Sequence, residues 1–274
     1  LNREKFDVFA IDTHTGALEL PVTDQPAPPL PSASGEASAL TELPGLAPGE
    51  RPDVVFIALH GPGGEDGTVQ GFLETLRIPY TGSGVLASAL AMDKTRCKTL
   101  FQASGVPVPA GMLFAKNDGP RLRKAPQEIA LQLGFPVVIK PNRQGSSYGT
   151  TIVKDPEGVK DALSDALRYD THVLVEECLV GREITVAVLG NDLDAFALPP
   201  VEIIAKDGFF DFTAKYSTGE SGAVEICPAE IGEDATHEAK LLALECHRAL
   251  GCKGMSRTDM FVTEDGCVVL ETNT

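Results

Sequence analysis

The sequence predicts an α/β domain built on an open parallel sheet, followed by two α+β units, and three observations lead to that class. Asp53-Val-Val-Phe-Ile-Ala-Leu59 is a nearly continuous apolar run, the mark of a strand covered on both faces. It runs into His60-Gly-Pro-Gly-Gly-Glu-Asp-Gly67 and an amphipathic stretch to about Leu76, a strand–loop–helix unit. From Ala110 the pattern changes to short strands joined by hairpin-like turns, ending in two apolar runs around Glu264-Asp265-Gly266. A chain of 274 residues at 43% hydrophobic can bury cores of this kind, and its length allows two or three domains.

Taken in order, Phe6–Ile11 is a short strand candidate, and residues 21–50, rich in Pro, Ala, Gly and Ser without periodicity, read as a mobile surface insertion. Thr81-Gly-Ser-Gly84 opens a helix, and Asp93 caps another that starts at Lys94. Phe135–Lys140 and Thr150–Lys154 read as strands flanking the loop Pro141-Asn-Arg-Gln-Gly-Ser-Ser-Tyr-Gly149. A helix over 156–167, strands at His172–Glu177 and Glu183–Leu189, a mixed region and the helix Glu233–Leu250 follow.

The net charge of −16 argues against general affinity for nucleic acid or anionic membrane, while leaving a local nucleotide site open. No apolar run approaches the ~20 residues of a membrane span, and Leu1-Asn-Arg-Glu-Lys5 lacks a signal-peptide apolar region. Six scattered cysteines without a C-x-x-C fit free thiols in a reducing cytoplasm and give zinc no support. The absence of an initiator Met and the strand-like end lead to the expectation of a piece of a longer protein, cut at both ends.

Five segments can carry chemistry. If the final hairpin is symmetric about Asp265, Asp259 faces Glu271 and Arg257 faces Asn273, with all four on one face. Opposed carboxylates repel unless something cationic lies between them, and hard oxygen donors beside an arginine suit Mg²⁺ carrying phosphates. A solvated hairpin face is the plain alternative. The Gly145–Gly149 loop, just past Lys140, has the glycines, hydroxyls and charge of a phosphate cradle, and equally of an ordinary hairpin turn. Glu176 and Glu183, at and beyond a strand end, offer carboxylates for an adenine amino group and ribose hydroxyls, or simply exposed acids. His60–Gly67 lies where open α/β sheets bind ligands. Phe209–Gly219, with Lys215-Tyr216 and a polar loop to about Glu225, reads as a lid or as an ordinary strand exit.

Taken together, HGPGGEDG, YTGSGVLASALAMDK, GFPVVIKP with GSSYG, VLVEECLVGREITVAVLG, FDFTAKY, and RTDMF with LETNT strongly resemble the D-alanine–D-alanine ligases of the ATP-grasp superfamily. The resemblance spans residues 53–274. It implies an N-terminal pre-ATP-grasp domain over 1–92, an ATP-grasp central subdomain over 93–182 and a C-terminal subdomain over 183–274, with ATP between the last two. By resemblance Lys94 and Lys140 hold phosphates, Glu176 and Leu179 the adenine edge, and Glu183 the ribose. Asp259, Glu271 and Asn273 ligate two Mg²⁺ (or Mn²⁺) ions, and Arg257 stabilises the phosphorylated and tetrahedral intermediates, with Gly149 near the oxyanion. Ser146 and Tyr216 join a hydrogen-bonded set that closes the lid, Lys215 meets the transferred phosphate, and His60 lies beside D-alanine.

The implied reaction joins two D-alanines at the expense of ATP, through an acyl phosphate, for peptidoglycan precursor synthesis in the cytoplasm. Related readings are a D-alanine–D-lactate or D-serine ligase, another carboxylate–amine ligase, and a nucleotide-binding pseudoenzyme; a homodimer is left open. The family's first strand with its Gly/Ser/Glu loop, and its Pro-Gly loop and helix beyond Asn273-Thr274, have no counterpart here, and Tyr148 replaces a small aliphatic residue. The expectation is therefore Mg²⁺-dependent nucleotide binding by these 274 residues with little or no dipeptide formed.

Overall fold

The computed structural model describes residues 51–145, 148–204 and 224–274, together with Lys5. The strand candidate Phe6–Ile11, the 21–50 insertion, Ser146, Lys215, Tyr216 and most of the lid candidate lie outside the described residues. The chain divides into two compact units, Leu1–Val55 with Phe72–Tyr80, and Phe56–Gly71 with Thr81–Thr274.

In the first unit the expected parallel pairing is present as a single bridge, Val55 with Tyr80, supported by Val55 N–H donating to the Pro79 carbonyl at 2.8 Å. The expected continuous strand Asp53–Leu59 is not formed beyond that bridge, and Val54 and Phe56 are 55% and 59% exposed. An apolar run becomes a covered strand only when it has neighbours on its hydrogen-bonding edges. Among the described residues its one β-bridge is the pairing of Val55 with Tyr80.

The second unit holds two antiparallel sheets. Helices α1 (Thr68–Thr75), α2 (Val85–Met92) and α3 (Lys94–Ala103) come first, α1 continuing into the first unit. A four-stranded sheet follows, in the order β1 (Gly111–Ala115), β4 (His172–Glu177), β2 (Val137–Pro141), β3 (Thr151–Val153). Alternation sends Phe114, Val137, Ile139, Val173 and Val175 into a core shared with helices α4 (Gly119–Gln132) and α5 (Val159–Ala166). Helix α4 is absent from the sequence reading; Pro120 in its first turn and buried Ala125 and Ile129 mark it in retrospect. The opposite face of this sheet carries Lys140 and Glu176.

The larger sheet runs β10 (Gly266–Asn273), β9 (Gly254–Thr263), β5 (Arg182–Gly190), β7 (Val201–Ile204), β8 (Val224–Ile226), with β6 (Phe196–Ala197) pairing β5. Ile184, Val186, Val188, Met260, Cys267 and Val269 face a core filled by α6 (Glu233–Leu250), α2 and α3. Helix α3 thus shares its apolar side with the C-terminal sheet. The connection 178–181 carries the chain from one sheet to the other, and Gly181 is required there: a Cβ would lie 2.3 Å from the Val262 carbonyl oxygen.

Candidate active site

The final hairpin pairs Glu271 with Asp259 and Asn273 with Arg257, as the sequence symmetry predicts, but by a different route. The turn is tighter than Glu264-Asp265-Gly266, because Gly266 already pairs with Thr263. Continued in that register, Asp259 would face Leu270 and Glu271 would point into the core with Cys267 and Val269. A bulge between Val269 and Glu271 inserts one residue, so Thr272 turns inward, 3.0 Å from the Thr258 hydroxyl, and Glu271 faces outward beside Asp259. The bulge therefore sets the site's composition.

On that face Asp259 is fully engaged. Its Oδ1 accepts from the Thr185 hydroxyl at 2.6 Å and from Arg257 Nε at 3.0 Å; its Oδ2 accepts from Arg257 Nη2 and Asn273 Nδ2, each at 3.1 Å. Arg257 is held charged first by Asp259, and more weakly by Glu271 and by Glu65 of the 60–67 loop. Glu271 lies 3.0 Å from Lys94 Nζ. The cations separating the two opposed carboxylates are thus Arg257 and Lys94. Carboxylate and amide oxygens are hard donors suited to Mg²⁺, so Asp259, Glu271 and Asn273 can hold that ion once these cations and the Asn273 amide N–H yield. Among the described residues no group of three or more His, Cys, Asp or Glu side chains is placed to hold a metal ion.

Helix α3 and strand β2 meet this face. Asp93 caps α3 by accepting from Arg96 N–H at 3.2 Å, and it also accepts from buried Asn142 Nδ2 at 2.8 Å. Asn142 Oδ1 in turn accepts from the Thr95 N–H at 3.0 Å and the Thr95 hydroxyl at 2.7 Å. This network fastens the start of α3 to the end of β2, so Lys94 and Lys140 are set relative to each other. Lys94 Nζ also donates to the Gln144 carbonyl at 2.8 Å, reaching the glycine-rich loop.

Beneath them lies a buried group that the sequence reading only half anticipates. Glu176 is 2% exposed, with Lys98 Nζ 2.7 Å from Oε1 and Lys140 Nζ 2.6 Å from Oε2. Its carboxylate, expected to face an adenine edge, is taken up by the two lysines. Burial alone would raise the Glu176 carboxyl, yet Lys140 and Lys98 outweigh it and hold the group below its ordinary value. Burial pushes Lys98 down, and Glu176 restores only part of that; at Lys140 the same burial is more than offset by Glu176 and Glu271. Lys98, Asn142 and Thr185 were not singled out from the sequence. The four-residue spacing of Lys94 and Lys98 on one capped helix was the available signal for the first.

Gly149 has φ +66°, and a Cβ there would meet the Tyr169 ring at 2.7 Å and Pro141 at 3.1 Å, so only glycine fits. Tyr148 lies against Tyr169, ring centroids 6.3 Å apart. In the 60–67 loop Glu65 accepts from Gly61 N–H at 2.5 Å and Asp66 from Gly63 N–H at 2.8 Å, which fixes the loop, and His60 is exposed at its head. A Cβ on Gly145 would come 3.9 Å from Gly61, so the two glycine-rich loops approach each other. Glu183 sits on β5 on the same face as Thr185, and Leu179 is half-buried in the connection between the sheets. Burial pushes the Cys97 thiol up to about 12, so this cysteine beside the lysines is no nucleophile.

The family model described as the D-ala D-ala ligase C-terminus matches residues 100–274, and the one described as the D-ala D-ala ligase N-terminus matches residues 3–83. The chain belongs to the D-alanine–D-alanine ligase family. A D-alanine–D-alanine ligase of Trichlorobacter lovleyi is 46% identical over 226 residues, covering 82% of this chain and 68% of the relative. One of Leptospira biflexa is 40% identical over 292 residues, covering 100% of this chain and 82% of the relative. Among solved structures, the VanG D-Ala:D-Ser ligase from Enterococcus faecalis is 40% identical, with a TM-score of 0.73. That likeness covers 81% of this chain and 63% of the solved chain, so the protein spans less than two thirds of that structure. The architecture is that of an N-terminal domain followed by an ATP-grasp domain. Among the described residues no helix is long and apolar enough to cross a membrane.

Proposed function

We propose that this chain carries the nucleotide and metal machinery of an ATP-dependent ligase that joins two D-alanines into D-alanyl-D-alanine for peptidoglycan precursors. The observation that carries the reading is the meeting of Lys94 and Lys140 with Glu271, Asp259, Asn273 and Arg257 at one place between two sheets. In this reading Lys94 and Lys140 hold the phosphates. Leu179 lines the adenine edge at the crossover between the sheets, with Glu176 behind it, and Glu183 takes the ribose. Asp259, Glu271 and Asn273 would hold two Mg²⁺ or Mn²⁺ ions, which supply neutralisation of phosphate charge.

The carboxylate of one D-alanine takes the γ-phosphoryl group, giving an acyl phosphate and ADP. The amine of the second attacks the acyl carbon, phosphate leaves and the amine sheds a proton. Arg257 leaves Asp259 to stabilise the charge that develops, Gly149 N–H faces the oxyanion, and His60 orients the first D-alanine. Ser146, Lys215 and Tyr216 complete the closed site and keep water from the acyl phosphate. The division at 92/93 and 182/183 is proposed as the functional one, and a cytoplasmic setting agrees with six free cysteines.

The test is D-alanine-dependent release of ADP and phosphate by the full-length protein, with identification of the dipeptide. The 40% identity to a D-Ala:D-Ser ligase favours one second reading, so D-serine and D-lactate are offered beside D-alanine. D-alanyl-D-alanine as the main product supports the proposal. A mixed product as the main one would replace it with the D-serine or D-lactate reading, and nucleotide binding without turnover with the pseudoenzyme.

A further inference from the structure

We infer that Lys98 is a positioning residue for phosphate binding: it balances Glu176 so that Lys140 keeps positive charge to offer a polyphosphate. The inference rests on the nucleotide site proposed above. Lys98 stands one helical turn after Lys94 on α3, but its side chain is only 8% exposed, and its Nζ lies 2.7 Å from Glu176. It acts through Glu176, whose other oxygen holds Lys140 at 2.6 Å.

Among the described residues, and apart from the mutually neutral Arg257–Asp259 pair, three ammonium groups (Lys94, Lys98, Lys140) face two carboxylates (Glu176, Glu271) in this cluster, a surplus of one positive charge. Without Lys98 the surplus disappears. Lys94–Glu271 and Lys140–Glu176 would then be two closed neutral pairs, and an arriving polyphosphate would have to break one of them. A buried lysine that served packing alone is replaceable by an apolar side chain at little or no cost, and its partner with it. Retaining the charge beneath the site has a use only if the charge is felt at the surface of the pocket, and Lys140, 13% exposed, is the route.

The experiment titrates inorganic tripolyphosphate, with a chelator present, into wild type, Lys98→Met, Lys98→Arg and the double variant Lys98→Met/Glu176→Gln by calorimetry. Tripolyphosphate has no adenine and needs no metal, so it reads the lysines alone. Loss of one nearby charge is expected to weaken binding about tenfold or more in Lys98→Met. Lys98→Arg keeps the charge, and the double variant restores the surplus of one; both are expected within about threefold of wild type. A packing role would not be rescued by removing the opposing carboxylate. Thermal unfolding accompanies each titration, and if Lys98→Met does not fold, Lys98→Arg and the double variant decide.

Wild-type affinity in folded Lys98→Met, or a folded double variant no better than tenfold below wild type, overturns the inference and leaves the nucleotide site standing. Failure of wild type itself to bind tripolyphosphate overturns the phosphate role of the lysines, and this inference falls with it.

Discussion

Replacing Glu176 by Gln tests how the charged group beneath the site is held together. The substitution keeps shape and removes the one negative charge between Lys98 and Lys140. At an effective dielectric of about 20, each attraction at these distances is worth roughly 6 kcal/mol before desolvation. Desolvation costs several kcal/mol per ion and cancels most of it while the group is complete. In the variant two buried ammonium groups face each other with an amide between them, and the folded protein can relieve this by shedding one proton. For a lysine of ordinary value 10.5, doing so at pH 7 costs about 5 kcal/mol, which caps the loss. Lys98, already pushed down by burial, is the one to give it up, so the expected destabilisation is about 3–5 kcal/mol, in line with a broken buried pair. Urea unfolding of wild type and variant at pH 7 measures it. The difference also depends on pH. The folded state holds the Glu176 proton less tightly than the unfolded chain, so the stabilisation is fully present above pH 4.5 and is lost as pH falls through the lower folded value. Wild type and variant should converge in acid. A loss under 1 kcal/mol at pH 7, or a gap that does not close in acid, would refute the reasoning.

Other outcomes follow from single contacts. Asp93→Ala removes the cap of α3 and leaves the buried Asn142 amide without its acceptor, an expected loss of about 2–4 kcal/mol with weaker ATP binding, read by thermal unfolding and nucleotide titration. Wild-type stability would contradict the network. Gly181→Ala drives a methyl against the Val262 carbonyl oxygen and should cost about 1–3 kcal/mol through forced backbone shifts, seen as a lowered melting temperature. Met260→Ala, fully buried behind the site face, should cost about 2–5 kcal/mol while leaving the tripolyphosphate affinity of the folded protein unchanged.

Much of this site is legible in the sequence, though the reasons differ from residue to residue. Asp93 and Gly84 announced α3 and α2 because caps and glycines are local signals. The helix Glu233–Leu250 and the strand His172–Glu177 form over the residues read for them, since each buries an apolar set with a clear period. The hairpin partners came out right because the expected three-residue turn and the observed tight turn plus bulge differ by one residue each and cancel. A bulge leaves no mark in composition: Leu270 is apolar like Val268 and Val269 before it. The run Asp53–Leu59 misled because apolarity reports the wish for cover, not its supply. Helix α4 was lost among Pro, Lys and Arg residues, because its buried side is marked by Ala125, Pro126 and Ile129, and a proline inside a run argues against a helix. Lys98 and Asn142 act through side chains more than forty residues away in sequence, and no local pattern points to such partners.

The central claim is that Asp259, Glu271 and Asn273 form the metal face of a nucleotide site, and Mn²⁺ binding in the presence of a non-hydrolysable ATP analogue tests it most directly. Followed by the electron-spin-resonance signal of free Mn²⁺, the wild-type chain should take up two ions with the nucleotide, and folded Asp259→Asn and Glu271→Gln should each lose at least one. Uptake in both variants equal to that of wild type would contradict the account.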